Sequence, residues 1–251
     1  MFRNIKAGIK WYLKGLFPPK LIIPLYSIIL FFDVLFYINI SGLTDPQAKI
    51  NTLFIIIATT SLFLNPLILA SGIAHVARTK DLTIYELSMI SSWLAVALAR
   101  LVALYLYITP YLVIQLILLY LSTTASNIIG AEIMLLTIAM LLFYCSLGML
   151  LTISGSRVVA VIGLSMTTFL LPISTWILVS VSQLSGIKSF DDVTSIMLYL
   201  FNSPMAYMFD KVYGVKLSTS WIQGGKATFY VTLFLLILYI YVFTRKQELK
   251  I

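Results

Sequence analysis

Six blocks of about twenty nearly uninterrupted apolar residues restrict the fold of this chain more than any other feature. They run from Leu21 to Ile40, Ile50 to Ala74, Leu101 to Leu121, Ile133 to Ile153, Val158 to Val181 and Ala227 to Thr244, and they end at charges, Gly, Pro or Asn. A helix rises about 1.5 Å per residue, so about 20 residues cover a hydrocarbon layer about 30 Å thick. Of 251 residues, 61% are hydrophobic and 10% charged, against about 25% charged in a soluble domain, which excludes an ordinary water-soluble fold. Inside a bilayer every backbone polar group needs an internal partner, so spans are helices or closed barrels. The alternating pattern of a barrel strand is absent. The expected fold class is all-α: a polytopic integral membrane protein with six transmembrane helices.

The whole chain, 1–251, reads as one transmembrane domain. Residues 1–19 form an N-terminal interfacial helix, 20–182 hold spans one to five, 183–225 form an outer loop, and 226–251 hold span six and a tail. Between residues 2 and 16, Phe2, Ile5, Ile9, Tyr12, Leu13 and Leu16 fall on one helical face with Arg3, Lys6, Lys10 and Lys14 on the flank. Such a helix suits the membrane surface, either as an anchor or as a mechanical element. Pro18 and Pro19 end it. The interleaved charges do not read as a cleavable signal.

Lysine and arginine set the orientation. With the N-terminus inside, the inner segments hold Arg3, Lys6, Lys10, Lys14, Lys20, Arg78, Lys80, Arg100, Arg157, Arg245, Lys246 and Lys250. The outer side holds Lys49, Lys188, Lys211, Lys216 and Lys226, four of them in one long loop. Both termini are thus expected in the cytoplasm of a multi-pass protein of the cell membrane. This distribution accounts for the net charge of +8 without a nucleic-acid partner.

Between the second and third blocks stands RTKDLTIYELSMISSW, Arg78 to Trp93. Thr83 and Glu86 have capping-box spacing, and Asp81 places negative charge where a helix dipole favours it, so a short cytoplasmic helix is expected over about Ile84 to Ile90. Ser91 and Ser92 interrupt it, Trp93 begins the climb into the third span, and Arg100 snorkels toward the inner interface. Ile84, Tyr85, Leu87, Met89 and Ile90 leave this helix little face that prefers water, so something other than solvent covers it.

These residues, with the N-terminal helix, six spans, Asn202-Ser203-Pro204 ahead of the last span and a basic tail, resemble the membrane subunits of ABC type-2 transporters. The resemblance extends over the whole chain. Where that family usually has Gly and Pro around its cytoplasmic helix, this chain has Asp81 or Leu82 and Ser91. The resemblance implies that residues 80–92 form a coupling helix seated in a groove of a separate ATPase subunit. It assigns ATPase coupling to Arg78, Lys80, Asp81, Thr83, Tyr85, Glu86 and Leu87. It also implies an exporter in which two permease subunits, identical or homologous, pair above two ATPases that bind ATP and Mg. No G-x-x-x-x-G-K-[ST] loop occurs in the chain, because Gly225-Lys226 is followed by Ala227, so no cofactor is expected on this subunit itself.

Asp33 is the carboxylate placed well within a block, and it reads either as part of a passage or subunit interface or as a hydrogen-bonded structural residue. Asn65 and Gln115 belong to the same candidate set, although with Pro66, Pro110 and Pro172 they also suit helix packing and kinks. Val193 to Phe201 suits a half-helix that Asn202-Ser203-Pro204 turns back. Cys145, the single cysteine, makes no intrachain disulfide. His75 is the one histidine and reads as structural; with no convergent catalytic groups, an enzyme is not expected. A non-transporting anchor or sensor subunit of an ATPase complex is the alternative, with membrane lipid a partner in either case.

Overall fold

The computed structural model describes residues 2–16, 19–76, 90, 92–125, 130–154, 157–185 and 188–248. All regular structure among them is helical: α1 Phe2–Leu16, α2 Pro19–Gly42, α3 Pro46–Thr59, a π turn Thr60–Leu64, α4 Asn65–Val76, α5 Trp93–Ala125, α6 Gly130–Leu151, a 3-10 turn Thr152–Ser154, α7 Arg157–Ser185, α8 Lys188–Lys211 and α9 Trp221–Glu248. Among the described residues, five helical stretches are long and apolar enough to cross a membrane: Pro46–Ala74, Trp93–Thr124, Gly130–Leu151, Val158–Val181 and Trp221–Lys246. The first of the six expected blocks lies within α2, whose 24 residues include the apolar stretch Ser27–Gly42 among the described residues.

Polar caps decide where several helices start. Asp45 accepts from the backbone N–H groups of Gln47 and Ala48 at 3.1 and 3.2 Å, with Pro46 at the first helical turn. The third expected block begins at Leu101, yet α5 begins at Trp93, because Ser92 Oγ accepts the Ala95 N–H at 3.2 Å. Likewise α9 begins six residues ahead of Ala227. There Gln223 Oε1 accepts the Ser220 N–H at 3.2 Å and Ser220 Oγ accepts the Gln223 N–H at 3.4 Å, a reciprocal capping box.

Helix α6 forms the centre, with 61% of its spanning window buried, whereas α7 and α9 bury 28% and 22% and turn most of their surface outward. Two apolar clusters stack along the bundle. One, around Tyr12, Ile73, Trp93, Leu104, Met149 and Phe243, lies at the end that carries α1. The other, around Leu53, Ile133, Leu136, Tyr199 and Tyr207, lies at the far end.

Helix α1 has the two-faced pattern read from the sequence, with Lys6 and Lys10 exposed. Its apolar face is covered by protein rather than left for lipid, since Tyr12 is 1% exposed and α1 lies along α5. Gly8 allows the approach: a Cβ there would stand 2.7 Å from Ile90 Cδ1 and 3.0 Å from Ala99 Cβ.

Helix α8 consists of two helical pieces joined at Asn202, whose φ −152° and ψ 66° lie outside the helical region. Both ends of α8 are at the far end of the bundle, and the break lies deep inside it. The Phe201 carbonyl accepts a 2.8 Å hydrogen bond from Tyr144 Oη, fourteen residues into α6 and so about 21 Å along that helix. The break, with Pro204 lacking an N–H, leaves carbonyls without intrahelical donors. Side chains supply them: Ser203 Oγ and Thr228 Oγ1 donate to the Tyr199 carbonyl, the latter at 3.3 Å.

Candidate functional site

Three features could carry function: a polar seam inside the bundle, an apolar groove on its side, and the contact of α1 with the start of α5. The seam is made largely by tyrosines of α5. Tyr111 Oη donates to Asn65 Oδ1 at 2.5 Å, Tyr107 Oη and Ser71 Oγ lie 2.7 Å apart, and Tyr105 Oη and Ser146 Oγ lie 3.3 Å apart. A phenol in a low-dielectric interior needs such a partner, and each bond crosses from α5 to a neighbouring helix.

Asn65 stands where the π turn passes into α4, its N–H donating to the Thr60 carbonyl five residues back. Pro66 then removes the donor that the Leu62 carbonyl would otherwise receive. A widened turn at this place is a common response to such a loss and a frequent companion of functional helices. The Asn65 side chain is 1% exposed, and its Nδ2 has no hydrogen-bond partner among the described residues.

The groove runs between α4 and α7 and encloses about 550 Å³. Leu62, Pro66, Leu67 and Ala70 form one wall, and Val161, Ile162, Ser165, Met166 and Phe169 the other. Ser165 is the one hydroxyl among these lining residues. The groove therefore offers an apolar surface on the same side as the π turn.

At the other feature, Arg100 is 3% exposed. Its Nε donates to Tyr12 Oη at 3.2 Å, and its guanidinium lies 5.2 Å from the centre of the Phe243 ring. The expectation of a snorkelling arginine is corrected here: α1 and α9 close over the guanidinium, and a phenol and an aromatic face meet it instead of headgroups. Lys246 Nζ donates to the Ile153 carbonyl and closes the same end of α9 onto the turn after α6.

The expected site residues divide as follows. Arg78, Lys80, Asp81, Thr83, Tyr85, Glu86 and Leu87 lie outside the described residues. So do the side chains of Asp33, which is on α2, and of His75. Asn65 and Gln115 are both buried within the subunit, at 1% and 0% exposure, and Asn65 meets α5 through Tyr111. Neither lines the groove. Sequence reasoning did not single out Tyr105, Tyr107, Tyr111 or Tyr144, although a tyrosine in the middle of an apolar block is itself a signal, since its hydroxyl must be satisfied away from water.

At the far end, burial raises the Tyr213 phenol above its ordinary value. It donates to Asn51 Oδ1 at 3.0 Å and ties the segment after α8 to the start of α3. Among the described residues, no group of three or more His, Cys, Asp or Glu converges as a metal site would require.

Compared with known proteins, the chain matches no family, no curated sequence and no solved structure.

Proposed function

We propose that the chain is the membrane-spanning permease subunit of an ATP-driven ABC exporter, paired with a second permease subunit and coupled to separate ATPase subunits that bind ATP and Mg. The contact of α1 with α5 carries the reading. Gly8 meets Ile90 and Ala99, and Tyr12 meets Arg100, so α1 sits where the chain re-enters the bundle after residues 77–89. Motion imposed on that segment from below would pass directly into α1 and α5. In this reading Arg78, Lys80, Asp81, Thr83, Tyr85, Glu86 and Leu87 contact the ATPase.

Helix α2, with 24 residues, supplies the sixth span, being long enough at about 1.5 Å per residue to cover a hydrocarbon core. Both termini then lie in the cytoplasm of a cell-membrane protein. The α4–α7 faces of two subunits oppose one another across a passage, and the π turn provides a place where α4 can change its twist relative to α3. Alternate inward-open and outward-open states follow if ATPase closure favours one of two packings.

The test is charge reversal of the elbow. The chain is co-expressed with a candidate P-loop ATPase subunit, co-purified and reconstituted in vesicles. The wild type is expected to retain the ATPase and support vanadate-sensitive hydrolysis, and D81K/E86K to lose both while its helices stay inserted. Equal association and hydrolysis in the variant would remove the elbow from its assigned role. Movement of cargo by the purified chain alone, without nucleotide, would end the exporter reading.

A further inference from the structure

We propose that the cavity between α3, α7 and α8 at the far end of the bundle is a binding site for an uncharged ring compound that carries a hydroxyl group, a phenol in the simplest case. This inference does not depend on the exporter reading. It begins with the wall, because the lining residues themselves set what can enter.

The cavity encloses about 430 Å³, within the range of small-molecule sites, and is built from separate parts of the chain: Phe54 of α3, Trp176 of α7, Phe209 of α8, and Tyr213 with Leu217 beyond it. Its four rings form one cluster. Trp176 stacks on Phe209 with centres 6.1 Å apart and planes 3° apart, and Phe54 lies 5.5 Å from Phe209 and 5.3 Å from Tyr213. At these separations aromatic rings attract one another face to face or edge to face, and a guest ring extends the same contacts. A rigid ring also loses less conformational freedom on entry than an acyl chain does. Trp176 is 50% exposed, so the cavity is open to a ligand arriving from the surface.

Two observations exclude charge from the ligand. No Asp, Glu, Lys or Arg is among the described lining residues, so an ion there would lose hydration without gaining a partner. The segments at this end are also balanced, since Lys49, Lys188, Lys211, Lys216 and Lys226 are offset by Asp45, Glu132, Asp191, Asp192 and Asp210. No excess of either sign draws an ion toward the opening.

Two hydroxyls then select the polar group. Tyr213 Oη donates to Asn51 Oδ1 at 3.0 Å, and Ser180 Oγ donates to the Trp176 carbonyl at 3.1 Å. With their protons committed, both oxygens serve a ligand as acceptors, and the Trp176 indole N–H is a donor in the same lining. A single hydroxyl on the ligand answers both kinds of group, because it donates once and accepts as well. A bare hydrocarbon ring answers neither, and a carboxylate has no proton to give.

The full chain is reconstituted in phosphatidylcholine vesicles and photolabelled with a phenol bearing a trifluoromethyl diazirine, and labelled peptides are read by mass spectrometry. Label in residues 209–217 is expected to saturate and to be displaced by hydroxybiphenyl, whereas label at the outward-facing Phe229 and Phe234 of α9 rises in proportion to the probe. Compared at equal concentration in the membrane, biphenyl should displace about fivefold less well for want of the hydroxyl, and biphenyl carboxylate less well again. Trp176→Leu, at a half-exposed position, should abolish the saturable label and leave that of α9 unchanged. Label in 209–217 that rises without saturation in the wild type would overturn the site and leave lipid chains as its filling. Equal displacement by biphenyl would overturn the hydroxyl assignment, and equal displacement by the carboxylate would overturn the exclusion of charge. Saturable label that survives Trp176→Leu would overturn the placement in this cavity. The wild-type competition needs no variant, so its outcomes decide the matter even where Trp176→Leu does not fold.

Discussion

Tyr12 and Arg100, 88 residues apart in sequence, meet through a 3.2 Å hydrogen bond in which a buried guanidinium donates to a phenol. The bond joins an amphipathic terminal helix to the start of a spanning one, and it converts what would be a surface anchor into part of the bundle. Hydrogen bonds to a charged group contribute about 1.5–3 kcal/mol. Tyr12→Phe keeps the ring and removes the acceptor. The variant should release α1, seen as faster tryptic cleavage at Lys6 and Lys10 in detergent with cleavage elsewhere unchanged. An unaltered cleavage pattern would mean that apolar packing alone seats α1.

Gly224 allows α9 to lie against Tyr199, since a Cβ there would stand 2.3 Å from Tyr199 Cγ and 2.6 Å from its Cβ. Overpacking of this kind costs about 1–3 kcal/mol. Gly224→Ala is therefore expected to lower the melting midpoint of the detergent-solubilised protein, while Gly42→Ala, with open space around its Cβ position, leaves it close to wild type. Equal midpoints for the two variants would show that α8 and α9 can separate without penalty.

The break in α8 depends on Tyr144, whose hydroxyl serves the Phe201 carbonyl at 2.8 Å. Tyr144→Phe leaves that carbonyl without this donor, at a cost of about 1–3 kcal/mol. The loss should be local, with hydrogen exchange rising around residues 199–206 and little change in α1. Exchange that is unchanged near Asn202 would argue that the break is held by packing.

Asn65 and Tyr111 form a pair whose double variant is more informative than either single one. Tyr111→Phe strands the amide oxygen of a residue whose Nδ2 already lacks a partner among the described residues, whereas Asn65→Leu with Tyr111→Phe removes both polar groups. Leaving one partner unmatched costs more than replacing both. The double variant should melt above Tyr111→Phe, with a coupling of about 0.6–2 kcal/mol, as for other hydrogen bonds between membrane helices. Additive effects would show that the two side chains do not act together.

Cys145 is 1% exposed on the central helix α6. A water-soluble maleimide should leave it unmodified in the folded protein and react once α6 is released by denaturing detergent, followed by intact mass. Rapid labelling of the native protein would indicate a water-filled path to the middle of α6.

How much was legible in the sequence can be judged from particular helices. Five expected blocks correspond to span-length helices, because the thickness of hydrocarbon and the need to satisfy every backbone group act on any chain in the same way, whatever its packing. The helix starts were less legible. Ser92 and the Ser220–Gln223 pair extend α5 and α9 beyond their apolar cores, and a hydropathy window stops at Gln223, Gly224, Gly225 and Lys226 although the helix does not. The tyrosine seam was passed over because a phenol counts as apolar until a partner for its hydroxyl must be found.

By itself the sequence determined that the chain is helical, that it is too apolar for water, and where its cations gather along the chain. Those properties follow from each residue's own affinity for water or hydrocarbon and need no knowledge of neighbours. Only the tertiary structure decided that Arg100 lies beneath α1, that the Asn202 break is held by Tyr144 and Thr228, and that Phe54, Trp176 and Phe209 wall one cavity. Each of these joins residues far apart in the chain through contacts of a few ångströms, and such contacts depend on how helices approach one another rather than on the hydropathy of any one of them.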